Sequence, residues 1–285
     1  ILKKFENFFE ENLNLIDQDA LFRIFEKYKP TIVIHLAAQA GVRYSIDNPR
    51  SYLESNIIGT FNILEAVKNG DIYHTLIAST SSAYGANREM PFDENQKADY
   101  QMSFYAASKK TCEVISHSYS HIHNLPITNF RFFTVYGPWG RPDMALFKFV
   151  KAMHEQKPID IYNNGEMKRD FTYIDDLVKG INLLIDCIPQ KGKRISENDS
   201  LSPVAPWRVV NIGNSNVQNL MDFIKEIEKN LDCNSKKNYL PMQKGDVKET
   251  WANCDLLKDL TGFIPETNIE KGIKNFCDWY KDYYL

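Results

Sequence analysis

Thr31-Ile-Val-Ile-His-Leu-Ala-Ala38 is a short, nearly unbroken apolar run that begins just after Pro30. With no polar residues alternating through it, the run reads as a strand buried on both faces, as in a parallel sheet covered by helices. The flanking sequence repeats the pattern. Residues 18–29 show helical periodicity ahead of Pro30, and residues 56–67 do so again. His74 to Ser79 reads as a second buried strand, Ser103 to about His123 as a long helix, and Leu125 to Thr134 as a third strand. Strands alternating with helices of this length predict an α/β fold, a doubly wound parallel sheet with right-handed crossovers.

After Tyr136-Gly-Pro-Trp-Gly-Arg-Pro142 the pattern changes. A helix over about 144–156 leads into short strands, and residues 175–188 form another helix. The polar, proline-bearing stretch 192–206 reads as a surface loop. Val209 to Gly213 is a strand, and helices follow at about 217–231 and 268–282. We therefore expect a larger domain over 1–135, with about 168–188 returning to it, and a smaller lobe over most of 136–285. In open α/β sheets, ligands bind beyond the carboxyl ends of the strands. Ala37-Ala38, Ser79 to Ser82 and Phe133-Thr134 all fall at such ends.

The bulk numbers narrow the function. At 285 residues and 43% hydrophobic, the chain can bury a large core,. A net charge of −3 gives no electrostatic case for nucleic acid, and no basic run suggests a membrane surface,. Five scattered cysteines without a Cys-x-x-Cys read as ordinary thiols of a reducing compartment, and with neither a long apolar segment nor a signal-peptide pattern a cytoplasmic location is expected,. His117, His121 and His123 mimic a metal spacing but lack a neighbouring carboxylate or fourth ligand, so no metal is expected,. His35, at the end of a buried strand, reads as a packed or backbone-bonded residue.

The chemistry is concentrated in Ser103-Phe-Tyr105-Ala-Ala-Ser-Lys109-Lys110 and in Ala78-Ser-Thr80-Ser-Ser-Ala-Tyr-Gly85. Four residues apart on a helix, Tyr105 and Lys109 share one face. The ammonium is expected to favour phenolate and to draw the tyrosine pKa down. With the Thr80 hydroxyl, the pair can move a proton off a substrate alcohol while a redox cofactor takes the hydride. Taken alone, a Tyr-x-x-x-Lys equally describes a pair on a helix surface, and the Thr80–Ser82 cluster a polar turn. It is their joint placement with strand-end motifs that favours chemistry.

His35-Leu-Ala-Ala38, Asn56-x-x-Gly59-Thr-x-Asn-x-Leu-Glu65, Ser81-Ser-Ala-Tyr-Gly85, Tyr105-x-x-x-Lys109, Arg131-x-x-x-Val-Tyr-Gly-Pro138 and Arg169-Asp-Phe-Thr-Tyr-Ile-Asp-Asp176 together resemble the extended short-chain dehydrogenase/reductase family, which includes nucleotide-sugar epimerases and dehydratases. Gln39 to Ser45, Phe132 to Ala145 and Leu240 to Asp246 are similar to its UDP-glucuronate 4-epimerase branch. The resemblance implies a Rossmann-like fold, NAD as cofactor, a UDP-sugar substrate and a homodimer formed through helices 56–67 and 103–121. It implies Thr80, Tyr105 and Lys109 as the catalytic set, and Asn14, Leu15, Leu36, Ala37, Ala38 and Asn56, with Tyr105 and Lys109, at the cofactor. Ser81, Ser82, Thr134 and Arg141 would face the sugar, Arg169 the diphosphate and Asp246 the uridine ribose. Arg43 stands between sugar-side contact and loop structure, Arg141 is alternatively a structural arginine of its turn, and Arg169 alternatively pairs with Asp170 or Asp175. Asn14 departs from the family's usual aspartate. No G-x-x-G-x-x-G occurs, so the first strand–helix–strand unit, about 40 to 60 residues given that one unit takes 30 or more, is expected to be missing ahead of Ile1.

The implied activity is inversion at C4 of a UDP-hexuronate through a transient 4-keto sugar. UDP-glucose 4-epimerisation, UDP-glucuronate decarboxylation, 4,6-dehydration and a non-catalytic interaction role stay open at this point. A dehydratase usually carries an Asp-Glu pair where Ser81-Ser82 stand here.

Overall fold

The run after Pro30 forms β1 (Ile32–His35) and the second apolar run forms β2 (His74–Ala78). β3 (Ile127–Phe132), β4 (Thr134–Tyr136), β5 (Ile159–Tyr162), β6 (Lys168–Tyr173) and β7 (Trp207–Ile212) follow. β8 (Val217–Asn219), β9 (Lys237–Leu240) and β10 (Glu249–Thr250) complete the strands. The computed structural model describes residues 2–243 and 246–285.

β1, β2, β3 and β7 pair in that order, all parallel. Side-chain alternation shows why this sheet needs helices on both faces. Leu76 and Ala78 of β2 pack with Leu177, Ile181 and Leu184 from the helix Ile174–Leu184. Ile77 points the opposite way, to Leu64 and Ile127, against the helices Gly59–Lys68 and Phe104–His123. Each leucine or isoleucine among them, fully buried, contributes about 1.5–3 kcal/mol. The α/β parallel-sheet reading is thus correct, and the sheet also takes in β7 from the second half of the chain. β4, β6, β8 and β10 make another sheet, and β5 pairs with β9. A second core gathers around Tyr136, Phe147, Phe171, Phe223 and Phe276.

Three expectations change in detail. The helix expected over 56–67 begins with a wider π turn, Leu53–Ile58, before Gly59–Lys68. The strand expected to run to Thr134 divides, because Phe133 turns its amide onto Ile212 O and the chain re-pairs with β6. The helix expected from 217 starts only at Leu220, because Val217–Asn219 pairs antiparallel with β6. His117 bonds Ser202 Oγ at 2.8 Å and His121 bonds Val204 O at 3.0 Å, so both dock the 192–206 loop onto the long helix. Among the described residues, no helix is long and apolar enough to cross a membrane.

Glu94 is buried, and its Oε1 accepts the Asn211 amide at 2.7 Å. Burial pushes its carboxyl from an ordinary 4.5 up to about 8. A group raised in this way stabilises the fold fully below pH 4.5 and loses that contribution as pH climbs through 8,. Glu94→Gln keeps the acceptor but cannot ionise. Its thermal midpoint should therefore fall less than the parent's between pH 4.5 and about 8, as calorimetry across that range would show,.

Candidate active site

Thr80 follows the carboxyl end of β2 in extended conformation and caps the short 3-10 turn Ser81–Tyr84. Its Oγ1 accepts the Ser82 amide at 3.2 Å, which leaves the hydroxyl proton available to donate,. The turn closes at Gly85 with φ 60, where an added Cβ would run into the Tyr100 carbonyl oxygen. Gly85→Ala should therefore cost about 2–3 kcal/mol or more, read as a lowered thermal midpoint with the Thr80 turn displaced.

Ser103 starts the long helix by accepting the Ala106 amide at 3.1 Å, a serine N-cap,. That boundary puts Tyr105 in the first turn and Lys109 one turn further on. Lys109 is 5% exposed and donates to Ala78 O at 2.7 Å. Its Nζ thus reaches back under β2 beside Thr80. Burial pushes the ammonium downward, opposed by Cys112 and Glu113.

The electrostatics of the pair differ from the expectation. Burial pushes the Tyr105 phenol above its ordinary range, and the groups opposing that rise are the Thr80 hydroxyl and the Arg141 charge, not Lys109. The lysine spends its reach on the strand carbonyl, so the helical spacing overstates its pull on the phenol.

Thr80, Ser81, Ser82, Tyr105, Thr134 and Arg141 line one cavity of about 480 Å³. Ser81, Ser82, Thr134 and Arg141 also line an adjoining cleft of about 500 Å³, together with Arg43, Arg169 and Asp246. All the residues expected at the sugar, diphosphate and ribose therefore lie along one continuous groove. The arginines already have partners. Arg141 grips Asp143 with two bonds, 3.0 and 2.7 Å. Arg43 pairs with Asp246 at 2.9 Å and lies over the Tyr162 ring at 4.5 Å. Arg169 donates to the carbonyls of Lys168, Val247 and Lys248, not to Asp170 or Asp175.

On the far side of Lys109, Leu36 and Ala37 are exposed beyond β1, and Ala38 is half-buried. Asn56 is fully buried in the π turn. Its Oδ1 accepts Gln39 N at 2.8 Å, and its Nδ2 donates to Gln39 O and Ser108 Oγ. Asn56 therefore acts on the loop after β1 through Gln39 and clamps that loop to the Tyr105 helix. Asn14 is exposed and accepts Ile16 N at 3.2 Å, and Leu15 O accepts from Asn62 Nδ2 at 2.7 Å. Neither lines the groove that holds Tyr105. Sequence reading missed Asp143, Lys148, Asp160 and Tyr162 in the cleft. Asp143 carried a signal in its spacing from Arg141, whereas Asp160 and Tyr162 enter only because β5 is folded against the groove.

The protein-family model described as GDP-mannose 4,6 dehydratase matches residues 3–276. A probable UDP-glucuronate 4-epimerase of Rhizobium meliloti is 50% identical over 287 residues, spanning 100% of this chain and 84% of the relative. A UDP-glucuronate 4-epimerase of Thermodesulfobacterium geofontis is 42% identical over 99% of this chain and 82% of its own length. Among solved structures, the UDP-glucuronic acid 4-epimerase of Bacillus cereus, in complex with UDP-glucuronic acid and NAD, superposes with a TM-score of 0.84 at 31% identity. That match covers 95% of this chain and 81% of the Bacillus chain.

Proposed function

We propose, from the premise that this chain belongs to the extended short-chain dehydrogenase/reductase family, that it is an NAD-dependent isomerase interconverting UDP-glucuronate and UDP-galacturonate. The observation that carries this reading is the single cavity joining the Thr80 and Tyr105 hydroxyls to Thr134 and Arg141. A proton-transfer pair and a carboxylate-binding cation then face the same small volume.

The chain's residues fit NAD. Leu36 and Ala37 offer exposed apolar surface at the end of a parallel strand, which suits a flat ring system,. Lys109 makes one hydrogen bond among the described residues, so its buried ammonium keeps donors for ribose hydroxyls,. Leu36, Ala37, Ala38 and Lys109 would hold the dinucleotide, with Asn56 fixing their loop. When bound, NAD supplies an acceptor that takes the C4 hydride and returns it, so no net oxidation accumulates.

In its phenolate form, which the Thr80 hydroxyl and the Arg141 charge favour against burial, Tyr105 accepts the proton of the 4-hydroxyl as the sugar passes to its 4-keto form, and gives it back after the ketone presents its other face. Thr80 donates to the same oxygen and steadies it through both half-reactions. Arg141 grips the uronate carboxylate, with Thr134, Ser81 and Ser82 as hydroxyl partners. Arg169, with Asp246 and Arg43, serves the UDP portion. We assign the cofactor half to 1–135 with 168–188 and β7, and the sugar half to the rest.

Exposed Phe61, Val114 and Ile122 on the helices Gly59–Lys68 and Phe104–His123 support a homodimer through those faces. Five free thiols support a place in the reducing cytoplasm,. The deciding experiment is incubation with UDP-glucuronate and NAD, in competition with UDP-glucose, with the products resolved by chromatography. UDP-galacturonate as the main product is expected. Turnover confined to UDP-glucose, or release of a UDP-pentose alone, would refute the reading.

A further inference from the structure

Glu113 lies one helical turn beyond Lys109 and has no part in the proton transfer, yet four donors converge on its carboxylate. Ser79 Oγ donates to Oε1 at 2.6 Å and Arg131 Nε to the same oxygen at 2.8 Å. Arg131 Nη2 donates to Oε2 at 2.7 Å, and Lys110 Nζ to the same atom at 3.0 Å. Glu113 is 1% and Arg131 2% exposed. The Arg131 guanidinium also lies 4.4 Å from the centroid of the Tyr84 ring, the last residue of the turn that Thr80 caps.

We propose that Glu113 and Arg131 are positioning residues that hold the strand end carrying Thr80 in register with the helix carrying Tyr105 and Lys109. The inference rests on reading those three as the proton-transfer set. The register follows from consecutive attachments. Lys109 binds the Ala78 carbonyl, Glu113 binds the Ser79 hydroxyl, and Arg131 lies over Tyr84, so the segment is tied on both sides of Thr80. Stability alone does not require such a pair, since well-packed apolar residues of similar size often do as well or better. A buried carboxylate held by four donors does fix geometry, because each bond constrains direction as well as distance.

Glu113 also contributes charge. Burial would push its carboxyl up, but Arg131 overrides this and holds it at about 2, so it is ionised at neutral pH. The groups facing Lys109 are Tyr105, Cys112 and Glu113 on its own helix, His35 from β1 and, through Glu113, Lys110 of the same helix and Arg131 from β3. Burial, then the Lys109 charge, hold His35 near 3, so it is neutral. Glu113 is therefore the ionised carboxylate that supports the Lys109 ammonium.

The test is the double variant Glu113→Gln/Arg131→Met, which removes both charges and avoids stranding either in the core. Thermal midpoint, kcat and KM for UDP-glucuronate are measured, and the Lys109 Nζ titration is followed by NMR on lysine-labelled protein. We expect the thermal midpoint to stay close to the parent's, kcat to fall about 10²-fold with little change in KM, and Lys109 to lose its proton at lower pH. A folded double variant with parental kcat and parental Lys109 titration overturns the proposal. Should the double variant not fold, Ser79→Ala removes a single attachment beside Thr80 and leaves the ion pair in place. An unchanged kcat there overturns the proposal, and a loss of about tenfold supports it. If the parent does not turn over UDP-glucuronate, the proposed function fails on its own account. The Lys109 titration then decides the inference, and an unmoved midpoint in the folded double variant overturns it.

Discussion

Tyr105→Phe should lower kcat by about 10³-fold, within the usual range for removing a general base, while UDP-glucuronate still binds. The variant removes one oxygen and keeps the ring, including its edge contact with Tyr52 at 6.0 Å, so packing is preserved. Among the described residues that line the cavity, Tyr136 carries a second phenol, but its hydroxyl donates to Asn268 O at 3.3 Å and burial pushes it upward. Thr80 already accepts the Ser82 amide and is a far weaker acid than a phenol,. Ser81 and Ser82 share that limit, and a guanidinium such as Arg141 offers donors but no acceptor. Calorimetric titration with UDP-glucuronate alongside a product assay separates binding from chemistry. A variant within tenfold of the parent would remove Tyr105 from its assigned role. The pH profile adds a directional check. Burial raises the phenol and Thr80 opposes the rise, so Thr80→Ala should move the limb of activity that reports phenolate formation to higher pH. A limb that moves to lower pH would contradict the support that Thr80 gives the phenolate.

The parts of this site legible in the sequence are those fixed by local pattern. Three consecutive buried residues of β2, Leu76 to Ala78, are apolar without alternation, which marks a strand covered on both faces,. Ser103 as a cap sets the phase of the long helix, and with it the placing of Tyr105 and Lys109. What was not legible depends on partners distant in the chain. Arg43 meets Asp246 across 203 residues, and Arg169 turns to the carbonyls of a segment nearly 80 residues away because β10 lies beside β6. Asn56 looked like a cofactor contact because its motif is read as a string. In the fold its amide is taken up by Gln39 and Ser108. The Tyr105–Lys109 spacing gave the shared face correctly and the electrostatics wrongly, since spacing fixes where a lysine starts and not which carbonyl its Nζ reaches.

Arg141→Ala should weaken UDP-glucuronate binding by about 30-fold or more, the equivalent of some 2 kcal/mol for losing one partner of a hydrogen-bonded charge pair. It should also convert part of the turnover into UDP-pentose and carbon dioxide. The 4-keto form of a uronate is a β-keto acid, and it decarboxylates when the breaking C–C bond aligns with the ketone π system. A bidentate guanidinium can hold the carboxylate out of that alignment. Its geometry is already displayed by Arg141, which grips the Asp143 carboxylate through Nε and Nη2. With side chains 45% and 60% exposed, that pair is worth little,, so the fork can exchange Asp143 for a substrate carboxylate at small cost. Two further variants sharpen the point. Arg141→Lys keeps the charge and loses the fork, so it should retain more affinity than Arg141→Ala and still leak pentose. Asp143→Asn removes the competing carboxylate and should tighten uronate binding without opening the leak. Release of labelled carbon dioxide from carboxyl-labelled UDP-glucuronate measures the leak directly. If Arg141→Ala kept its uronate affinity and released no pentose, the clamp would be wrong, and Thr134 with the strand-end serines would have to carry the carboxylate alone.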